Sequence, residues 1–350
     1  MTTTLDATRG SAFAGLSKQI RAAGLLERRR VNYTARISLI LLAYVGTWTA
    51  LVLVGDSWYS TIVAAVLGIV FTQVGFLGHD GGHQQIAAKR KSNDFVALMA
   101  GNLLTGLSIG WWVGKHNKHH SNPNKEHHDP DIGEGVLAFT TGAVARRTGA
   151  FGKLITRFQA YLFFPLLTLE GFNLHVASVL YLRKAKRDGS RRIELLLLLV
   201  HFTAYIGGVL MVLSPVKALV FIAIHQGMFG LYMGCSFAPN HKGMRIIGAD
   251  ECVDFLRRQV LTSRNVRGGW FTDLLLGGLN YQVEHHLFPN MPRPSLRHAQ
   301  HLVRSYCHEH AIDYTETSLF GSYAAALTYL HELGAPLRGR TQPAVGSSAS

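Results

Sequence analysis

The chain has 350 residues, 48% of them hydrophobic and only 16% charged, yet its formal net charge is +14. A soluble domain carries about a quarter charged residues, so the composition argues against an ordinary soluble enzyme. Basic and apolar together leave a nucleic-acid binder or a protein seated on anionic lipid. The long apolar runs select the second, with membrane lipid as a partner and no nucleic acid. Cys235, Cys252 and Cys307 form no CxxC pair, which excludes a disulfide framework and a structural zinc ribbon.

Residues 1–36 lack the basic-then-apolar order of a signal peptide. They read as a cytosolic N-terminal segment, with Phe13, Leu16 and Ile20 on one side of an amphipathic interfacial helix. Four runs then reach the roughly 20 helical residues that cross a bilayer: Ile37–Val54, Thr61–Gly78, Leu195–Leu213 and Ala218–Ala238. "GDSWYS" joins the first two and "SPVK" the last two, joints so short that each pair is expected to be a helical hairpin. Lys and Arg mark the cytosolic side. They precede the first span (Arg28, Arg29, Arg30, Arg36), follow the second (Lys89, Arg90, Lys91) and crowd the approach to the third (Arg183 to Arg192). Both termini and the middle segment are therefore expected inside the cell, at the inner membrane in a bacterial host. Cys252 and Cys307 are expected to label only from that side.

Two further apolar stretches, Phe95–Val113 and Tyr161–Leu182, carry breakers or polar groups: Gly101, Asn102, Gly106 and Gly110 in one, Pro165, Glu170, Asn173 and His175 in the other. They read as interfacial or partly inserted helices. The expected fold is an all-α integral membrane protein. Four transmembrane helices form two hairpins, and a cytosolic helical cap (79–194 and 239–334) completes a domain over 37–334. The Pro/Gly/Ser-rich tail 335–350 is expected to be disordered.

The 18 histidines are not spread evenly. "HDGGH" (His79, His83) begins where the second span ends. "HNKHH" (His116, His119, His120) lies in the middle segment, "NHKG" (His241) just follows the fourth span, and "QVEHH" (His285, His286) lies in the C-terminal part. Residues three or four apart share a helix face, so the first two clusters can each aim their imidazoles at one spot. His285 and His286 diverge by about 100° on a helix, so each can serve a different metal. Eight imidazoles exceed the shell of one ion and point to two metals side by side. Imidazole suits Zn, Cu, Fe and Ni alike. A helix crossing the bilayer over Phe95–Val113 would hold the first two clusters about 30 Å apart, which agrees with four spans rather than five.

Acidic side chains that can accept the outer N–H of a ligating imidazole are Asp80, Asp129, Asp131, Asp273 and Glu284, with His127 and His128 beside them. His201 and His225 fall inside spans. They are axial haem ligands in one reading and neutral side chains bonded to a neighbouring helix in the simpler one. His298, His301, His308 and His310 occur in a polar helical pattern and read as solvated.

The three boxes "HDGGH", "HNKHH" and "QVEHH", with the flanking "GWWVGKHNKHHSNPNKEHHDPDI" and "GGLNYQVEHHLFPNMPR", resemble the membrane fatty acid desaturases from about residue 30 to 320. Glutamine at the head of the third box is similar to the front-end and acyl-lipid subgroup. The resemblance implies two non-haem iron ions that activate O2, taken as co-substrate. It also implies removal of one hydrogen from each of two adjacent acyl methylenes to leave a cis double bond. By the same pattern His79, His83, His116, His119, His120, His241, His285 and His286 are the iron ligands. Asn240 or Gln282 completes a shell, and Trp111 and Trp112 line an acyl tunnel or anchor the membrane surface. The acyl carrier is a fatty acyl-CoA or an acyl lipid. Cytochrome b5 domains fused to many front-end enzymes carry an HPGG motif, which this sequence lacks. Electrons are therefore expected from an external ferredoxin- or cytochrome b5-type donor with its reductase. Rival readings are a membrane di-iron fatty acyl or alkane hydroxylase, a membrane metal transporter and a haem electron carrier.

Overall fold

The computed structural model describes residues 12–339. Four helices within it are long and apolar enough to cross a membrane: α2 (Arg30–Val54), α3 (Ser60–Gly82), α9 (Gly189–Val212) and α10 (Pro215–His241). They overlap the four expected spans and extend them by up to seven residues at the ends that carry basic or histidine side chains. Before them comes α1 (Ala12–Ala22). α3 is the most enclosed of the four and packs along α10 and α2. Leu67, Phe71, Phe221 and Phe229 close the seam between these helices and α9. The outer faces of α2 and α9 stay apolar and exposed, as at Leu42, Leu53, Leu199 and Met211, which suits a lipid solvent.

Neither of the two doubtful stretches runs as one straight helix. α4 (Arg90–Leu98) continues as a π-helical segment over Met99–Leu104 and breaks at Thr105–Ser108, and α5 (Ile109–Ser121) leaves at 117° to it. Gly106 sits in the break with φ +70, where a Cβ would lie 2.5 Å from the His201 ring. The break is pinned from α9. The buried Glu194 carboxylate accepts bonds from Ser108 Oγ (2.6 Å), Asn102 Nδ2 (3.1 Å) and Gly110 N (3.2 Å), while Ser108 caps α5 by accepting from Trp111 N. An anion and a serine at a helix N-terminus satisfy donors that the helix itself cannot. After α6 (Thr141–Ala145), α7 (Ala150–Leu167) contains Pro165 and gives way to α8 (Glu170–Lys184) at an 82° bend.

The remaining helices, α11 (Phe255–Leu261), α12 (Trp270–Leu275), α13 (Gln282–Leu287), α14 (Arg293–Glu309) and α15 (Leu319–Leu333), are short or amphipathic. A two-residue parallel pairing, Asn265–Val266 with Glu316–Thr317, ties the loop before α12 to the loop before α15. α1 belongs to this part of the molecule. Its apolar side does not face a bilayer: Leu16 and Ile20 are fully buried against α11, α13 and α14, and Phe13 lies 4.7 Å from the Phe255 ring. Amphipathic spacing alone cannot tell a lipid surface from a protein one, which is why the interfacial expectation fails. The tail expectation is corrected in part. Ala335–Arg338 form a 3-10 turn with Ala335 buried and Arg338 donating to Arg157 O, and the rest of 335–350 from residue 340 lies outside the described residues.

Candidate metal centre

All eight box histidines are buried at one place, where α3, α10, α5 and α13 end or begin. His79 and His83 close α3. Gly81 and Gly82 between them are required by packing, because a Cβ on Gly81 would lie 2.9 Å from Asn93 O and one on Gly82 2.5 Å from the Trp112 ring. Trp112 in turn stacks on His116 at 4.4 Å and flanks His79 at 5.3 Å. α5 brings His116, His119 and His120 in from the other side, α10 ends on His241, and the single-turn α13 supplies His285 and His286.

The ligand atoms fall into two groups. His79, His83, His116 and His285 form one, and His119, His241 and His286 the other, each with donor atoms within 4.8 Å of one another. The adjacent His285 and His286 thus divide between the groups. His120 stands between them, its ring 4.6 Å from His83, 4.7 Å from His285 and 4.2 Å from His286.

The outer nitrogens are tied down in the second group. His119 Nδ1 donates to the Asp129 carboxylate at 3.0 Å, His241 Nδ1 to Thr262 O at 2.9 Å and His286 Nδ1 to Gln259 Oε1 at 2.9 Å. Each bond fixes the tautomer and leaves Nε2 with a lone pair turned inward. Apart from His241 Nε2, which the Gln282 amide nitrogen meets at 2.9 Å, the inward atoms lack ordinary partners. His79, His83 and His286 have buried Nε2 atoms without a hydrogen bond, and His285 has neither nitrogen matched. His116 Nε2 and His120 Nε2 approach to 3.0 Å, and His119 Nε2 and His241 Nε2 to 3.4 Å. Buried lone pairs pressed together and unsatisfied cost free energy. A cation shared by each group relieves that cost, so the donor set fits two metal ions.

Electrostatics agree. Burial first, then the neighbouring imidazoles, hold His83, His116, His120, His285 and His286 well below the ordinary histidine value. They are neutral at physiological pH, the form that ligates. His119 goes the other way. Burial opposes its charge, but the Asp131 and Asp129 carboxylates outweigh it and hold it above the ordinary value. Those carboxylates favour a cation at that spot, whether proton or metal.

Asp80, Asp129 and Asp131 each reach a box histidine, at 3.4, 3.0 and 3.4 Å. Asp273 and Glu284 do not act as expected. Asp273 accepts from Asn280 Nδ2 at 2.9 Å, and Glu284 accepts from Asn265 Nδ2 and Tyr314 OH at 2.7 Å each. Glu284 is fully buried, which pushes it up to about 7 against those two bonds. It anchors α13 to the small parallel pairing rather than to an imidazole. Gln282 lies with its amide 2.9 Å from His241 Nε2, and Asn240 meets Gln282 at 3.2 Å without touching an imidazole.

His127 and His128 are exposed, as are His298, His301, His308 and His310. His201 donates from Nδ1 to Leu103 O at 2.8 Å, and His225 Nδ1 bonds the Tyr205 hydroxyl at 2.7 Å, with the Phe71 ring packed on both imidazoles. These are helix-bridging roles and not a pair facing a haem. Sequence reasoning missed Gln259, Thr262 and Arg293. Arg293 Nη2 donates to Asp80 at 2.7 Å and to Phe76 O at 3.1 Å. A lone glutamine in "FLRRQVL" carries no sequence signal, and Thr262 acts through its backbone. Arg293 stands in the quoted "FPNMPR", where its neighbour in space could not be read.

A helical chain with four membrane-length apolar helices and two adjoining groups of buried imidazoles defines a membrane metalloprotein. The fatty acid desaturase family model matches residues 56–318. A Delta(8)-fatty-acid desaturase of Euglena gracilis is 31% identical over 91% of this chain and 77% of its own length. One from Helianthus annuus is 26% identical over 94% and 74%. A Delta(6)-fatty-acid desaturase of Caenorhabditis elegans is 33% identical over 79% and 65%. The chain belongs to the fatty acid desaturase family and is an oxidoreductase that desaturates fatty acyl chains.

Proposed function

We propose that this chain is a di-iron acyl desaturase. In this reading His79, His83, His116 and His285 hold one iron, His119, His241 and His286 hold the other, and His120 stands at their junction. The observation that carries it is the pair of adjoining imidazole groups with inward lone pairs, the outer nitrogens of the second group being fixed by Asp129, Thr262 and Gln259. Ligand type alone leaves the metal open; the substrate decides it. An unactivated methylene has no acidic proton, so acid–base catalysis cannot reach it. Bound iron supplies the O2-activating redox chemistry that can. The balance is one O2, two electrons and two protons taken up per CH2–CH2 converted to CH=CH, with two waters released. The chain's own residues do the rest. Asp129, Thr262 and Gln259 orient the imidazoles, Trp112 covers the first group, and the buried setting excludes water. Electrons come from a ferredoxin- or cytochrome b5-type partner and its reductase, and the substrate is an acyl-CoA or an acyl lipid. A host that expresses the chain should gain one new cis-unsaturated fatty acid, and the purified protein should carry close to two irons and no haem. A hydroxylated product with the same iron content would assign it instead to the hydroxylases.

The same reading places α2 with α3, and α9 with α10, as two membrane hairpins, and the parts between and after them, with both termini, on the cytosolic side. The basic flanks of α2, α3 and α9 support it. Cys252 is exposed but Cys307 is buried, so only Cys252 is expected to report. It should react with an impermeant maleimide in inside-out vesicles and not in intact cells; reaction in intact cells would reverse the map.

Gln282 tests how the second group is completed. Gln282→Ala is expected to keep most of the iron and lose about 10- to 100-fold in turnover, the usual effect of removing a group that supports a ligand. Gln282→His should recover more than the alanine variant. Parent-level turnover and iron in Gln282→Ala would remove the residue from the site.

A further inference from the structure

A second site of a different character lies beside the first. A cavity of about 520 Å³ opens between α2, α3, α12 and α14, within the roughly 300–1,000 Å³ typical of ligand pockets. One end is cationic. Arg293 is only 5% exposed, and after its bonds to Asp80 and Phe76 O its Nε and Nη1 remain buried without partners. Arg36, on α2, also has a buried Nη1 without a partner. Arg297 lines the same space. Two carboxylates stand against these three guanidinium groups, and both are engaged: Asp80 by Arg293, and Asp273 by Asn280. The three guanidinium groups exceed the two carboxylates by one positive charge around the cavity, and the unpartnered Arg36 and Arg293 nitrogens lie buried just behind its lining. The other end is apolar, with Leu39, Ile40 and Leu274 as its wall. Leu39 is 65% exposed on the apolar outer side of α2.

Buried guanidinium donors without acceptors are costly, and a planar guanidinium fork matches the oxygens of a phosphate. A cavity with such donors at one end and a membrane helix at the other fits a molecule that is itself anionic at one end and apolar beyond. We propose that this cavity binds the phosphodiester of a glycerophospholipid through Arg36 and Arg293, with the glycerol and first methylenes against Leu39 and Ile40. Arg293 also holds Asp80, which reaches His79, so two side chains, Arg293 and Asp80, separate the lipid phosphate from the first histidine group. The proposal does not depend on the metal assignment or on the acyl carrier.

The test uses the full chain purified in detergent and returned to mixed micelles. Dioleoylphosphatidylglycerol, dioleoylglycerol and inorganic phosphate are added separately, and retained lipid is counted by native mass spectrometry beside the thermal midpoint. The phospholipid should be retained and should raise the midpoint, whereas the diacylglycerol, which lacks the phosphate, should do neither. Arg36→Gln should bind the phospholipid about tenfold more weakly, the usual effect of losing one charge-assisted bond. Arg297→Gln should also weaken it and serves if the first variant fails to insert. Arg183→Gln, an exposed cation elsewhere on the basic surface, should leave retention unchanged. Equal loss in Arg183→Gln would mean a diffuse basic surface and overturn the site. Parent-level retention in both cavity variants would do the same. Inorganic phosphate that displaces the lipid and protects as well alone would assign the arginines to a soluble phosphate and overturn the lipid reading.

Discussion

Replacing His286 with alanine should reduce product formation by more than a hundredfold and lower bound iron from about two toward one, with the protein still inserted. His286 is buried and belongs to the three-histidine group, its Nδ1 held by Gln259 and its Nε2 unmatched. With only three imidazoles there, loss of one leaves two, too few to hold an ion firmly without recruiting water. The four-histidine group keeps its full set, because His285, not His286, belongs to it. Metal analysis therefore separates this variant from a misfolded one. A misfolded protein loses both irons, whereas His286→Ala should lose mainly one. The cavity left by the ring also costs stability, so the thermal midpoint should fall modestly. Two irons together with full turnover in His286→Ala would remove it from the ligand set.

Asp129→Asn should lower turnover by about 10- to 100-fold with partial loss of iron. The Asp129 carboxylate, only 2% exposed, accepts four bonds or near-bonds from three donors: His119 Nδ1 to both oxygens at 3.0 Å, Asn124 N at 2.7 Å and Asp131 N at 2.8 Å. Asparagine has nearly the same shape but replaces one acceptor oxygen with an NH2 donor. One N–H must then face another donor in a buried place. If the amide turns its oxygen toward the backbone, the His119 ring loses its outer acceptor and its fixed tautomer. The negative charge that favours a cation at His119 is lost as well. Asp129→Glu should not rescue, because the added methylene has no room where the carboxylate is only 2% exposed and held by three donors. If Asp129→Asn kept parent-level iron and turnover, the tautomer of His119 would not depend on that carboxylate.

Much of this was legible in the residues. The four apolar runs, the position of the histidines at their ends and the spacing within each box are properties of local sequence. Hydropathy and the 3.6-residue period act over a few turns of chain, so they are readable without a fold. The division of His285 and His286 follows from their adjacency, since neighbours on any helix turn diverge. The family resemblance rests on the same short motifs and needs no tertiary information.

What only the tertiary structure decided are the contacts between segments far apart in sequence. Asp80, Asp129, Asp131, Asp273 and Glu284 looked alike as acids beside histidines, yet only the first three reach an imidazole. Whether a carboxylate accepts from a ring or from Asn265 and Tyr314, as Glu284 does, depends on backbone direction at both partners. Gln259 and Thr262 hold His286 and His241 across 27 and 21 residues, distances over which no periodicity carries information. The 117° break before α5 needed Gly106 to clear His201 and Glu194 to satisfy the new helix end, and both partners come from α9. α1 shows the same limit from the other side. Its apolar stripe was plain in the sequence, but an apolar stripe gains from leaving water in either surrounding, and only the packed Leu16 and Ile20 reveal that protein, not lipid, covers it.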